Sequence, residues 1–522
     1  MLDFRLDRHD KNQLELKLNY GLRPDSTKQA YTVQAFVFVP RVLALTATSY
    51  PADRFYEDTA TFIRMTTPKV PLEELSSKSA VRPWASNLMD QVDNFAAGHT
   101  GDLKAAEQSL KLLACVFKGA VRDSVFEHQS QISALLDGGQ HSAAARILST
   151  FTDDLKTALK RLRKVGVSAS IDDAPVELRD AWQAVDEYAS LIVEEALTDL
   201  FALCTEHADQ PEFDEALKAS QEMAVSEYQH RVNQGWSTFA IDGEKNEHLP
   251  HRWRVLKRYV SSALYLNVAR DKPGQLVIDL IGMIAAAAAM LFATLAILAI
   301  NHFYGATLST AFLTGMVVAY VIKDRIKELG KRTLGRRIQN LMPDHVVRIY
   351  GHDEEEMGTA KESFQVKLHS ELAPEIFEER FSDHTTQDAI GGRPETVLCY
   401  EKLISLSSQK LKRQFEGAVG LTDIIRLNLR PMMARMDDAW ETYRYIHPRT
   451  GEIQVTKCAR VYHINVLVRL IAHEGENALH HVRAIVNRKG IVRVESVHGD
   501  EASAPTTMSS ADETAQIQFI DD

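Results

Sequence analysis

Polar side chains of the types that bind metals gather in one short segment near the C-terminus. His473, Glu474 and Glu476 are followed closely by His480 and His481. Imidazole and carboxylate groups suit zinc or iron, but this spacing matches no established zinc pattern. We therefore interpret the segment as a polar loop between two strands, and we expect neither a metal site nor a cofactor.

The sequence lacks the common motifs of nucleotide binding and hydrolysis. Gly330-Lys331 has neither the preceding glycine nor the following Ser or Thr of a phosphate loop, and no G-x-S-x-G or H-E-x-x-H occurs. The cysteines are far apart, without C-x-x-C spacing, and are expected to be reduced thiols: Cys115, Cys204, Cys399 and Cys458. No catalytic centre is predicted, although an enzyme within the C-terminal part stays an open alternative.

Three hydroxyl side chains, Thr307, Thr310 and Thr314, recur at spacings of three and four in an apolar segment. On a helix they would share one face, where they could bond across helices or line a narrow aqueous path. Helix packing is the preferred interpretation, because a hydroxyl also bonds to its own helix backbone and no charged ring accompanies the three.

A cationic segment follows the threonines and could contact anionic lipid headgroups. The alternative is that these charges only set the orientation of the chain. The cations are Lys323, Arg325, Lys327, Lys331, Arg332, Arg336 and Arg337.

Two apolar runs, Leu276 to Ile300 and Ala306 to Ile322, surround these sites and are separated only by residues 301–305. As helices they would reach roughly 37 Å and 25 Å, against a hydrocarbon core of about 30 Å. The pattern predicts a transmembrane hairpin. A hairpin buried inside a soluble protein is disfavoured, because the first run is longer than most core helices.

The distribution of charge indicates where the two halves of the chain lie. Lys and Arg flank the hairpin on both sides and are missing from its connection, so both termini are expected in the cytoplasm. The Ala-rich runs suggest a bacterial inner (cytoplasmic) membrane. A net charge of -11 over 522 residues argues against a general nucleic-acid binder.

Strand patterns occur near both ends of the chain. Leu14 to Tyr20 alternates apolar and polar residues and is predicted to form a hairpin with Tyr31 to Val39. Tyr462 to Leu470 also alternates, and residues 487–490 read as a hairpin turn. Because two strands alone are marginally stable, we expect the N-terminal strands to join the C-terminal sheet.

The predicted fold is an α+β membrane protein with a central two-helix transmembrane hairpin, an N-terminal helical bundle, and antiparallel β strands near both ends that share one sheet. Its parts are an N-terminal β segment (1–80), a helical bundle (84–235), a basic juxtamembrane segment (236–275), the transmembrane hairpin (276–322), a basic juxtamembrane helix (323–345), a C-terminal α+β domain (346–500) and a disordered acidic tail (501–522).

The sequence favours a membrane-anchored cytoplasmic interaction or sensing protein. The alternative is an oligomeric two-helix pore or channel that its cytoplasmic domains gate. The expected partners are the lipid bilayer, further copies of the chain bound through the hairpin, and a cytoplasmic protein or ligand, but not nucleic acid.

Overall fold

The computed structural model describes residues 2–23, 27–76, 82–96, 102–167, 174–205, 214–304, 310–339, 342–382, 395–472 and 477–497. Over these residues the protein is a mixture of helices and antiparallel sheets, as predicted. The predicted tail at 501–522 lies outside the described residues. One continuous core of buried apolar side chains extends through both larger sheets and the helical bundle.

The largest sheet has eight antiparallel strands among the described residues, and its order mixes the two ends of the chain. From edge to edge, with elements numbered in chain order, it consists of β14 (Gly490–Ser496), β13 (Asn477–Asn487), β12 (Tyr462–Ala472), β3 (Lys28–Pro40), β8 (Glu395–Ser407), β7 (Glu356–Lys367), β6 (His345–Tyr350) and β5 (Asn267–Asp271).

Strand β3 occupies the middle of this sheet, so the N-terminal part does complete the C-terminal sheet. Val37 pairs with Val466 of β12 on one side and with Leu398 of β8 on the other. The predicted hairpin turn at residues 487–490 is confirmed, since Asn487 pairs with Gly490 between β13 and β14.

A second sheet has the strand order β1 (Leu2–Arg8), β2 (Gln13–Gly21), β9 (Gly420–Asn428) and β4 (Thr59–Thr66). The prediction that the two alternating N-terminal segments pair with each other is wrong. Leu16 of β2 pairs with Leu6 and with Ile425, whereas β3 belongs to the larger sheet. Alternation fixes which face of a strand is buried, but it does not choose the neighbouring strand.

Two further strands, β10 (Trp440–Ile446) and β11 (Ile453–Ala459), form a ribbon of their own. Their turn includes Gly451 with φ of +71°, a conformation that favours glycine. Most side chains on both faces of the ribbon are exposed.

In the described part of the bundle there are six helices: α3 (Pro83–Ala96), α4 (Leu103–Asp137), α5 (His141–Val167), α6 (Val176–Thr205), α7 (Asp214–Asn233) and α8 (His248–Ser261). Their apolar stripes face inward at helical spacing, as Leu110, Leu148 and Val185 illustrate. The Gly138-Gly139 pair ends α4, as its sequence suggests, and Gly139 has φ of +68°.

Short helices connect the remaining elements: α1 (Ala52–Asp58), α2 (Leu72–Ser76), α11 (Pro374–Phe381), α12 (Ser408–Gln414) and α13 (Arg430–Met433). Two long helices, α9 (Gly274–Tyr304) and α10 (Thr310–Gln339), carry the apolar runs. The basic segment after the second run is therefore the continuation of α10 rather than a separate helix.

Candidate site: the apolar helical hairpin

Sheet pairing closes the base of the hairpin. Helix α9 starts three residues after β5 ends, and α10 leads into β6. Strands β5 and β6 pair antiparallel, with Asp271 opposite Val346. Paired strands lie about 5 Å apart, so the chain leaves the large sheet and returns to it at one place.

The two helices run antiparallel in close contact. A Cβ built on Gly315 would lie 3.1 Å from Ile300 Cδ1, and one on Gly330 would lie 3.1 Å from the Cβ of Ala285. The contacts are fifteen residues apart on each helix, which fixes the register. By this register Lys323 to Lys331 of α10 lie level with residues 284–292 of α9.

Among the described residues, one helix is long and apolar enough to cross a membrane by length and composition, at Asp279–His302 with a mean hydropathy of 2.5. Helix α10 does not meet this condition. Its described apolar part, Thr310 to Ile322, spans about 20 Å before six charged residues follow within the next nine. The predicted two-helix transmembrane hairpin is therefore not supported, because the second helix turns polar too early.

The hairpin exposes most of its large apolar side chains. Leu291 is 63% exposed and Val317 is 63% exposed. Each helix makes its main contacts with the other helix, and 17% of the most apolar window of α9 is buried. The other exposed apolar side chains on the two helices include Leu280, Met283, Ile284, Met290, Leu295, Leu298, Leu313, Met316, Val318, Tyr320 and Val321.

The predicted headgroup contacts lie on the polar half of α10. The Lys323 ammonium lies 3.9 Å from the centre of the Tyr320 ring, and Arg325, Lys327 and Lys331 are exposed. The side chains of Arg332, Arg336 and Arg337 lie outside the described part. Contact between these cations and lipid stays a prediction.

The predicted threonine face is only partly within the described residues. Thr307 lies outside them, whereas Thr310 and Thr314 are exposed on α10. The Thr314 hydroxyl donates to the carbonyl oxygen of Thr310 at 2.8 Å, so it is satisfied within its own helix. Neither side chain is buried against α9. Contact of these hydroxyls with another hairpin, in packing or along an aqueous path, stays a prediction.

Cations that precede the hairpin take part in the folded body, which sequence reasoning missed. Arg252 pairs with Glu187 at 2.5 Å, and Lys272 pairs with Asp53 at 2.8 Å. Arg270 lies 3.3 Å from the carboxylate of Glu362. In sequence these cations are indistinguishable from residues that face a membrane.

A buried ionic cluster joins the two larger sheets, and sequence reasoning missed it as well. Lys402 of β8 is 1% exposed, and its Nζ lies 2.6 Å from Asp423 of β9 and 3.8 Å from Glu362 of β7. The Tyr400 hydroxyl donates to Glu362 at 3.0 Å. Burial raises the pKa of Asp423, although the Lys402 ammonium opposes this shift. The cluster links the two sheets through ion pairs.

Among the residues that the structure describes, no group of three or more His, Cys, Asp or Glu side chains is arranged to hold a metal ion. The candidate residues 473–476 lie outside the description. His480 stacks on Phe4 with ring centres 4.5 Å apart, and His481 Nε2 lies 3.1 Å from Asn465 Oδ1. These two imidazoles have partners within the sheets.

Comparison with known proteins does not supply a family for this chain. It matches no family model, no curated protein and no solved structure. The functional argument therefore rests on the surfaces and charges of the chain itself.

Proposed function

We propose that this protein is a membrane-tethered interaction protein of the bacterial inner membrane, with its folded body on the cytoplasmic side. The observation that carries the proposal is the exposed apolar surface at the distal end of α9 and α10, where Leu298 and Val317 are mostly exposed. Exposed apolar surface of this extent is typical of a site that contacts a membrane or another protein.

The strand pairing at the base of the hairpin supports the proposal that both termini lie on the same side of the membrane. Because β5 and β6 pair, any segment that α9 carries into a bilayer must be brought back by α10 to the same sheet edge. The exposed cations Arg325, Lys327 and Lys331 follow the apolar part of α10 and suit a headgroup layer on the cytoplasmic side.

The ribbon of β10 and β11 supports a role in binding a cytoplasmic protein. Trp440, Tyr443, Ile446, Ile453 and Val455 are all exposed there. A two-stranded ribbon is marginally stable in water, so a partner that covers these side chains would stabilise it. Aromatic residues at such a surface are enriched in protein interfaces.

Vesicle flotation of the purified full chain tests the tether. We expect the protein to float with vesicles of phosphatidylcholine and phosphatidylglycerol, and the Leu298→Glu, Val317→Glu double variant to bind about ten-fold more weakly or worse, since a charge in hydrocarbon costs about 2.5 kcal/mol or more. The matched control is Phe126→Glu, because Phe126 on α4 is 75% exposed but far from the hairpin in sequence.

A wild-type chain that stays in the aqueous fraction would contradict the proposal, as would a double variant that floats normally. The pore alternative is tested on the same vesicles by ion flux. A tether conducts no ions, whereas flux that changes with Thr310→Val or Thr314→Val would favour the pore.

A further inference from the structure

A groove of about 290 Å³ lies where the helical bundle meets the sheets. Helix α3 contributes Trp84 and Leu88 to its lining, and α4 contributes Leu112. The third wall is formed by residues 413–416, at the end of α12. Small-molecule sites usually have about 300 to 1,000 Å³, so a ligand of this groove must be small.

The walls of the groove are held together by contacts within the protein. The Asn87 amide donates to the Glu416 carboxylate at 3.0 Å and so joins α3 to the third wall. The Trp84 ring stands edge-on to the Phe415 ring, with ring centres 5.6 Å apart. Helices α3 and α4 also pack on each other. The groove is therefore formed before any ligand enters it.

Two opposite charges line the groove on its third wall. Arg413 and Glu416 are three residues apart in sequence. Among the residues that the structure describes, neither side chain makes an ion pair, so the two do not neutralise each other. The Asn87 amide bonds to Oε2 of Glu416. The guanidinium and the carboxylate are thus both available to a ligand.

The floor of the groove is apolar. Leu88 is 8% exposed and Leu112 is 1% exposed, and the rings of Trp84 and Phe415 line the same space. A groove with apolar walls and a few placed polar groups has the usual character of a small-molecule site.

We propose that this groove binds a free α-amino acid with an apolar side chain. The guanidinium of Arg413 accepts the ligand carboxylate as a two-bond partner, and the ligand ammonium donates to Glu416. The apolar side chain of the ligand lies on Leu88 and Leu112 beside the Trp84 ring. The site lies in the folded body, so the proposal does not rest on the membrane tether.

The charges of the groove favour a zwitterion over other small ligands. A simple anion would bind Arg413 but would be repelled by Glu416, and a simple cation would meet the reverse arrangement. A neutral sugar would leave both charges without a counter-charge. An amino acid carries both charges on neighbouring atoms and satisfies the two side chains together.

Calorimetric titration of the purified full chain in detergent tests the proposal, with L-leucine and L-phenylalanine as probes. We expect Arg413→Gln and Glu416→Gln each to weaken binding by about ten-fold or more, since each removes a hydrogen bond between charged groups. The matched controls are Lys412→Gln, next to Arg413 on α12, and Glu378→Gln, which is exposed on α11. Both controls should bind as the wild type does.

Two analogues repeat the test on the unaltered chain. N-acetyl-L-leucine lacks the ammonium and L-leucinamide lacks the carboxylate, so each should bind about ten-fold more weakly than L-leucine or worse. A wild-type chain that binds neither amino acid would overturn the proposal, as would analogues that bind as tightly as L-leucine. Binding of glucose in place of the amino acids would also overturn it. Vesicle flotation is not expected to change with Arg413→Gln, so the groove and the tether can fail separately.

Discussion

Two carboxylates, those of Asp423 and Glu362, surround the buried Lys402 ammonium. With the partly exposed Arg270 also near Glu362, the cluster has two cations and two carboxylates, so its formal charges balance. Such an arrangement contributes little net stability compared with apolar residues, but removing one partner leaves an uncompensated charge in the core. A different arrangement of the two sheets would therefore leave a buried charge of this cluster unpaired.

We expect Lys402→Ala to lower the free energy of unfolding by about 3 to 5 kcal/mol, because Asp423 and Glu362 lose their shared cation. The matched control is Lys410→Ala, whose ion pair with Glu355 is partly exposed and should contribute about 1 kcal/mol or less. Urea unfolding followed by tryptophan fluorescence measures both. Equal losses for the two variants would refute the role assigned to Lys402.

Such clusters are beyond prediction from one sequence. Glu362, Lys402 and Asp423 lie on three strands whose neighbours are set by tertiary structure. Local patterning shows only that each charge interrupts an apolar strand. The same limit applies to Arg252, which falls in the predicted juxtamembrane segment at 236–275 although Glu187 binds it.

At the scale of elements, the sequence predicted the long apolar helices but not how they face each other. Length and hydropathy of α9 are local properties, and an apolar run of this length identifies the helix directly. The register between the two helices, in which Gly330 faces Ala285, depends on tertiary contacts. This register decides which part of α9 lies beside the charged residues of α10. Local patterning indicates helix near Ala360 to Phe381, and Pro374–Phe381 is helical, but residues 360–367 belong to β7, because sheet partners on both sides override their weak local preference.

We expect the cations of α10 to strengthen membrane binding by attracting anionic lipid headgroups. We expect Lys327→Gln with Lys331→Gln to weaken binding to vesicles that contain phosphatidylglycerol by up to roughly 30-fold at low salt, since each cation near an anionic surface contributes about 1 kcal/mol. Binding to purely zwitterionic vesicles should change little. Flotation at two salt concentrations measures the effect.

The control for this pair is Lys156→Gln with Lys160→Gln. Both lysines are exposed on α5 with the same spacing of four residues. If this pair weakened vesicle binding as much as the α10 pair, net charge rather than the position of the cations would explain the result.

At the scale of the whole molecule, the order of strands makes the two ends of the chain interdependent. Strand β3 separates β8 from β12, and β2 similarly neighbours β9. The sequence suggested this sharing because an isolated strand pair needs further partners. It could not give the order, since pairing over more than 350 residues leaves no local signal.

A chain that begins at Arg82 should therefore lose cooperative unfolding, because β8 and β12 lack their common neighbour. A chain that ends at Val497 retains every described element and is the control, with a melting transition close to that of the full chain. Far-UV circular dichroism during heating measures both. A loss of the β-sheet signal as cooperative as that of the control, in the chain that begins at Arg82, would show that the C-terminal strands form a sheet without β3.

The central place of β3 also sets an order of events during synthesis. Its two neighbours begin at Glu395 and Tyr462, so the ribosome must add more than 400 residues after β3 before both exist. At about 5 to 20 residues per second this takes roughly 20 to 80 s. Until β8 has been made, a 13-residue strand that contains three Val and two Phe has neither of its sheet neighbours in the nascent polypeptide. We therefore expect a chaperone that binds the nascent chain to shield these first strands until β8 and β12 have been made.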